Sequence, residues 1–529
     1  MLAEQGEHEI TMKWLACLLL LASLAWGQTT PNIKANIPSQ NTANYGSLND
    51  QNWANLDRML PCILDGIVNT TFAQALTCAG SSGTIEVTPF AGTISGTGVT
   101  IPAGVTLMVD QGALISGTPT INGPIFAGNY QIFTGTPTLT ALAGLVNVRN
   151  YGAKCDGVTD NLPAVNAAAA AATSSGAPLY FPTCSTGYYI SATPSNLVGP
   201  NIQVFGDGAT NTLILLGSGY LVDDNQAWPT FYMSGLAISG GTGCVRNRYT
   251  GTMSTGTSRR VFQDNWCVYF TGAGVSVNSS DLPNWQIRRN RFWGYNNTTT
   301  VCLALKGGTN GGNEVSAIEN NQFWNCKISV KIAGGAQSVN MFQNDFTFYN
   351  SGSNRAAVWI VPQTGGYTNS GAGFNFQGTK FGNENLSSTD LRIVYADDTG
   401  GGTYFGDDYN WGTSASAGYI SNHQIGPVGH LCTSSVMLPI VYSYTPNVTG
   451  VTIGPVHSGS TPFSYLLQYD SSVLPMANDV YATGNLFGPV TFADSPGGVV
   501  TGYQVTNATG VGQTFDPLNY MSLQDNKEG

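Results

Sequence analysis

Five short segments in the middle of the chain align on one asparagine: "VFQDNWC", "QIRRNRF", "AIENNQF", "NMFQNDF" and "NFQGTKF". The column holds Asn265, Asn290, Asn321 and Asn344, then Thr379. Three residues earlier stand Phe262, Ile287, Ile318, Met341 and Phe376; two residues later stand Cys267, Phe292, Phe323, Phe346 and Phe381. Successive column members are 25, 31, 23 and 35 residues apart. The shorter intervals suit one coil of a solenoid, and the longer ones a coil with an inserted loop.

A coil of a parallel β-solenoid stacks on its neighbour about 4.8 Å away, so equivalent residues meet along the stack. Phe then lies on Phe inside, and Asn on Asn at a bend, where amides satisfy turn backbone and one another. Composition agrees: charged residues are 9% of the 529, Gly numbers 66, and 42% of residues are apolar. That mix is unusual for a helical enzyme and too apolar for disorder. The expected fold is all-β, a single-stranded parallel β-helix. A net charge of −11 gives no reason to expect nucleic acid as a partner.

Cysteine spacing adds a constraint. Cys244–Cys267 and Cys302–Cys326 are separated by 23 and 24 residues, close to one coil. Partners one coil apart come within disulfide reach, roughly 4.4–6.8 Å between Cα atoms. With Cys17 removed in the expected signal segment, Cys62–Cys78 and Cys155–Cys184 are the simplest remaining pairs, leaving Cys432 unpaired. No Cys-x-x-Cys occurs, so neither zinc nor redox chemistry is indicated.

Met12-Lys13 followed by "WLACLLLLASLAW" and Ala25-Trp26-Gly27 reads as a signal peptide over 12–27, with Met12 as the start. Secretion to an extracytoplasmic location is therefore expected. No later stretch is apolar enough to span a bilayer. Residues 28–82 read as an N-terminal helical adaptor or cap, with "LNDQNWANLDRMLPCILDGI" as its helix. Short apolar runs broken by Gly, Thr and Pro make 83–145 β-rich lead-in coils. Residues 426–529 are β-rich without the Asn column, and complete the stack, cap it or form a homotrimer; otherwise the chain is a monomer.

Before the repeats comes "NYGAKCDGVTDNLPAVNAAAAAATSSGAPLYFPTC", residues 150–184. Its Ala run reads as a helix, with Asp160 or Asn161 as N-cap, Pro163 in the first turn and Gly176 after the end. An alanine face lets that helix lie close against strand ends and close the open stack. With "VNVR" upstream and "NIQVFGDGATNTLILL" downstream, this stretch resembles the pectate-lyase superfamily domain grouped with rhamnogalacturonases and epimerases. The match covers about 121–240, and the Asn repeats extend the architecture over 146–425.

The resemblance implies a right-handed, pectin-lyase-like β-helix and a carbohydrate-active protein, a glycoside hydrolase or polysaccharide lyase acting on uronic-acid-containing polysaccharide. It implies no cofactor, with Ca²⁺ only for a lyase. A non-catalytic, tailspike-like adhesin and a purely structural solenoid are the alternatives. The family's catalytic strings are absent. Asp223-Asp224, Asp397-Asp398 and Asp407-Asp408 lack their usual His and Arg-x-Lys companions. Cys155 replaces a Gly, "DNLP" replaces Asp-Asp-Thr, and Cys184-Ser185-Thr186 is added; a Cys155–Cys184 bridge accounts for two of these changes together.

Candidate site residues follow from alternation. With Phe262, Ile287 and their equivalents inward, Gln263, Arg288, Glu319, Phe342 and Gln377 point out, as do Trp266, Arg291, Gln322, Asp345 and Lys380. The catalytic candidates are Glu319 and Asp345 as a carboxylate pair, with Arg288 to hold a sugar carboxylate or act as base. Gln263, Trp266, Arg291, Gln322, Phe342, Gln377 and Lys380 are the substrate-binding candidates. The bland reading makes Arg288–Glu319 and Asp345–Lys380 ordinary cross-coil ion pairs. His423, His430 and His457 are scattered and form no expected metal site.

Overall fold

The computed structural model describes residues 62–67, 69–140, 144–249, 259–279, 285–295, 300–307, 317–333 and 339–349. Elsewhere it gives strands at 28–29 and 36–37 and from 355 to 515, with side chains described there only for 356–359. The expected signal segment and His423 lie outside the described residues, as do the side chains of Gln377 and Lys380.

Two compact units divide the chain: residues 1–153 with 167–179, and residues 154–166 with 180–529. The first unit is itself a small parallel solenoid. Cys62–Leu64, Thr84–Val87, Thr106–Val109 and Ile125–Phe126 pair in parallel, burying Leu64, Ile85, Val87, Leu107 and Val109. Residues 62–64, read from sequence as the end of a helix, are therefore a strand. Their Cys62-Ile63-Leu64 alternation suits a half-buried sheet edge. The described helix of this region is α1, Phe72–Ala79, whose N-cap Thr71 accepts from the Gln74 amide. Cys62 is bonded to Cys78 on that helix, Cα atoms 5.9 Å apart.

In the second unit the chain winds through three parallel sheets per coil. One coil runs Trp285–Arg288 on the first sheet, Arg291–Gly294 on the second and Val301–Gly307 on the third. The next runs Ala317–Glu319, Gln322–Trp324 and Ile328–Ala333, each pairing in parallel with its predecessor. The expected single-stranded parallel β-helix is thus the observed fold. Strand backbones from 424 to 506 keep adding to these sheets, and 419–421, 447–449, 476–478 and 499–501 form one more parallel sheet.

The interior follows the repeat. Phe262, Ile287, Ile318 and Met341 register in one column, and Cys267, Phe292, Phe323 and Phe346 in another; all are buried. Ring centroids of Phe292–Phe323 and Phe323–Phe346 lie 5.1 and 4.9 Å apart, with planes within 4° and 11° of parallel. Burying each such ring is worth roughly 1.5–3 kcal/mol.

Between the first and second sheets the asparagines form a hydrogen-bonded ladder. Asn290 Nδ2 and its backbone N–H both donate to Asn321 Oδ1 at 3.0 Å, and Asn321 does the same to Asn344 Oδ1 at 3.1 Å. Each Nδ2 also donates to the backbone carbonyl three residues before the next Asn down the stack: Phe262, Ile287 and Ile318 for Asn290, Asn321 and Asn344. The residue preceding each Asn is left-handed: Asp264, Arg289, Asn320 and Gln343 have φ of 52–56°. That sharp reversal turns the chain onto the next sheet.

All four expected disulfides are present. The geometry behind two of them differs from simple stacking. Cys267 registers with Ile238 and Phe292 on the second sheet, whereas Cys244 lies on a third-sheet strand of the coil before. Cys302 is likewise on the third sheet, and Cys326 on the segment leading into the next third-sheet strand. Both bridges cross the corner between coils, with Cα separations of 6.1 and 5.8 Å. Cystines stacked within one sheet would leave the corner unbraced.

The Ala helix forms as α2, Leu162–Ser175, burying Val165, Ala168, Ala169, Ala171 and Ala172. The two capping candidates share the work. Asp160 Oδ1 accepts from the Leu162 amide, while the Asn161 carbonyl accepts from Val165 N–H and its side chain clasps the Lys154 backbone. Gly176 follows at φ 68°.

Asp156 accepts from the Val158 and Thr159 amides and the Thr159 hydroxyl, which hold its carboxyl down at about 2. Because the folded value is depressed, its stabilisation is present above the usual carboxylate range and disappears as pH falls toward 2. Unfolding followed between pH 5 and pH 2 is expected to show a shallower acid limb in Asp156→Asn than in the wild type. Asn321→Ala strands the buried Asn290 amide and the Ile287 carbonyl, at about 1–3 kcal/mol per group. Denaturant titration is expected to show a loss of about 3 kcal/mol, against under about 1 kcal/mol for Asn320→Gly, which suits the left-handed bend.

Candidate functional site

The outward residues form two columns on either side of the asparagine bend. On the first sheet Gln263, Arg288, Glu319, Phe342 and Gln377 are register partners in succession. On the second sheet Trp266, Arg291, Gln322, Asp345 and Lys380 are likewise aligned. The described members are half-buried, because neighbours about 4.8 Å away shield each other's flanks.

On the second sheet, cation and indoles are locked together. The Arg291 guanidinium carbon lies 4.6 Å from the ring centroids of both Trp266 and Trp324, and its Nε donates to Gln322 Oε1 at 3.0 Å. Trp324 packs edge-on to Trp293 at 5.5 Å, and Trp293 lies 5.4 Å from Tyr269, which is 47% exposed. The result is a rigid aromatic ridge with a guanidinium embedded in it. Such faces stack on sugar rings, and the guanidinium adds hydrogen-bond donors. Asp345 closes the column, its Oδ1 accepting from the Thr347 hydroxyl at 3.1 Å.

The first sheet carries a directed hydrogen-bond chain. Arg288 Nε donates to Gln263 Oε1 at 2.8 Å, and Gln263 Nε2 donates to the Tyr232 hydroxyl at 2.7 Å. Tyr232 in turn stacks on Phe205 at 5.0 Å. Arg288 and Glu319 are register partners, yet no ion pair joins them among the described residues. Among the described residues the ion pair at this bend is instead Arg289 with Asp264, at 2.7 Å; its hydrogen bond, helped by the charges of Asp264 and Glu319, holds Arg289 above its usual range. The Arg288 fork and the Glu319 carboxylate are therefore both open to a ligand.

Glu319 ends a first-sheet strand, and Asp345 begins a second-sheet strand one coil on. The buried Asn321 and Asn344 lie inside the bend between them, so the outer surface there is a convex edge. Of two further aromatics on these coils, Trp285 is buried, while Tyr295 is 67% exposed. Tyr232 and Phe205 were not picked out from sequence: their coils precede the Asn column, where Leu236 occupies its place. The signal was Gly235, at φ 75°, standing where the later left-handed residues stand. No group of metal-ligating side chains occurs among the described residues, and no described helix is long and apolar enough to cross a membrane.

No family model matches the chain, and no curated protein does. Among solved structures it is similar to the A-module of mannuronan C-5 epimerase AlgE6 from Azotobacter vinelandii, at 16% identity and TM-score 0.45. That similarity covers 70% of this chain and 96% of that one. The AlgE4 A-module from the same organism matches at 15% identity and TM-score 0.37, over 70% and 99%. The catalytic unit of the GH87 α-1,3-glucanase of Streptomyces thermodiastaticus strain HF3-3 matches at 14% and 0.29, over 71% and 69%.

Arg291→Lys keeps the charge but loses the flat guanidinium and its Nε bond. Each cation–π contact is worth about 0.5–1 kcal/mol. The expected outcome is a fall in near-ultraviolet circular dichroism from the indoles and a stability loss of about 1–2 kcal/mol, with the far-ultraviolet spectrum unchanged.

Proposed function

We propose that this protein acts on an acidic polysaccharide, which it seats on the outer faces of the first and second sheets. The observation that carries the reading is the Trp266–Arg291–Trp324 sandwich beside the uncommitted Arg288 fork. Stacking planes spaced by the coil rise suit the repeat of a sugar chain, and a guanidinium held by one nitrogen leaves two donors for a uronate carboxylate. In the enzymatic form Glu319 and Asp345 are the acid and base, and Arg288 binds the carboxylate or serves as base in a lyase. The four disulfides support an oxidising, extracytoplasmic setting.

The convex edge favours a second reading. Hydrolysis by paired carboxylates needs them about 5–9.5 Å apart across one sugar. With the bend between them, Glu319 and Asp345 meet one substrate only if it wraps the corner. A non-catalytic binder needs no such convergence.

The readings separate in one set of assays. Polygalacturonate and other uronic-acid polymers are offered, and reducing ends, unsaturated-uronide absorbance and binding are measured together. Product formation that falls at least a hundredfold in Glu319→Gln and Asp345→Asn establishes the enzyme. Binding without product, weakened about tenfold by Trp324→Ala, establishes the binder. Absence of both across acidic polymers overturns the proposal.

A further inference from the structure

We propose that the third sheet carries a separate anion site, built on Arg246 and Arg248 and suited to the carboxylate of an acidic glycan. Asp223 and Arg246 are register partners that alternate with the buried Val222 and Val245, so they face outward. Arg246 grips Asp223 with two nitrogens, Nε at 3.0 Å and Nη2 at 2.7 Å, and lies over the Tyr220 ring at 4.7 Å. Arg248 Nε donates to the same carboxylate at 3.0 Å. Two guanidiniums therefore share one acid, in a chain whose net charge is −11.

The arrangement goes beyond a closed ion pair. Arg248 is 39% exposed and commits only Nε, so among the described residues both terminal nitrogens are without a partner. Asp223, at 12% exposure, fixes the direction of that fork. A planar fork of known direction is the geometry that recognises a carboxylate or sulfate through two parallel bonds. The fork and its compensating charge thus sit at the end of a third-sheet strand, on a different sheet from the Trp266–Arg291–Trp324 ridge.

Anion binding here stands on its own; the glycan as its source rests on the proposed function. Inorganic sulfate is the first probe. In thermal melts at matched ionic strength, sulfate is expected to raise the wild-type Tm above its value in chloride. The excess is expected to be lost in Arg248→Gln, mostly lost in Arg248→Lys, which keeps the charge without the fork, and retained in Trp324→Ala. Sulfate also stabilises proteins generally, so an equal rise in Arg248→Gln overturns the site. A galacturonate hexamer, measured by calorimetry, then tests the source. Arg248→Gln is expected to weaken a hexamer-binding event about tenfold that Trp324→Ala leaves intact. Hexamer binding that only Trp324→Ala weakens overturns the glycan assignment. Sulfate binding with no hexamer binding keeps the anion site and overturns the galacturonan as its source; the proposed function itself fails only when the other acidic polymers also go unbound.

Discussion

The asparagine ladder at the bend between the first and second sheets is the constraint on which the rest depends. Every amide in it is used on both sides: Oδ1 accepts from the Asn one step down the stack, and Nδ2 donates to a buried backbone carbonyl. These groups are out of reach of water, so an unmade bond costs about 1–3 kcal/mol. Side chains one methylene longer or without the amide cannot make both bonds from that position. The ladder therefore sets not just the bend but the register of each coil on the next. A slip of one residue would turn Phe323 and Phe346 outward and Gln322 and Asp345 inward. The alignment of Trp266, Arg291 and Gln322 on the outer face is a consequence of bonds made within the core.

Much of this was legible because like residues stack. A column of Asn, with apolar residues at fixed offsets, can be read from one sequence since each coil repeats the demand of the last. The disulfide partners were legible too, but their path was not. Sequence separation reports how much chain lies between two cysteines and not which sheets hold them, so a corner-crossing bridge looks like a stacked one. The strand at 62–64 failed for a different reason. Its neighbours "NLDRML" and "ILDGI" carry helical spacing, while pairing with Thr84–Val87 is a long-range contact that local pattern does not reveal. The Arg291 sandwich was half visible: the columns were right, but the diagonal reach from Trp324 to the preceding coil depends on side-chain direction.

Polar groups inside the earliest coils were not legible at all. Arg260 occupies an inward column between Phe231 and Trp285, fully buried, with Nε donating to the Trp228 carbonyl at 2.6 Å. Burial pulls its guanidinium down to about 10. Nearby, Trp228 Nε1 donates to Asp224, whose carboxylate also takes the Gly199, Asn225 and Gln226 amides. From sequence, Asp223-Asp224 looks like one acidic pair. In the structure the first acid holds arginines at the surface and the second organises a buried turn. Alternation in a strand separates neighbours that composition lumps together.

That separation also bears on what the surface does. With charged residues at 9%, the protein has few cations to use, and it fixes several of them rigidly: Arg291 between indoles, Arg288 through Gln263, Arg248 through Asp223. A guanidinium already ordered loses little entropy on binding, so each bond to a ligand returns more of its energy. Weak bonds repeated at a spacing near the coil rise then add along a polymer, whereas a monosaccharide meets only one of them. A stack of coils therefore favours long, regularly spaced ligands, and favours them through the same periodicity that holds its core together.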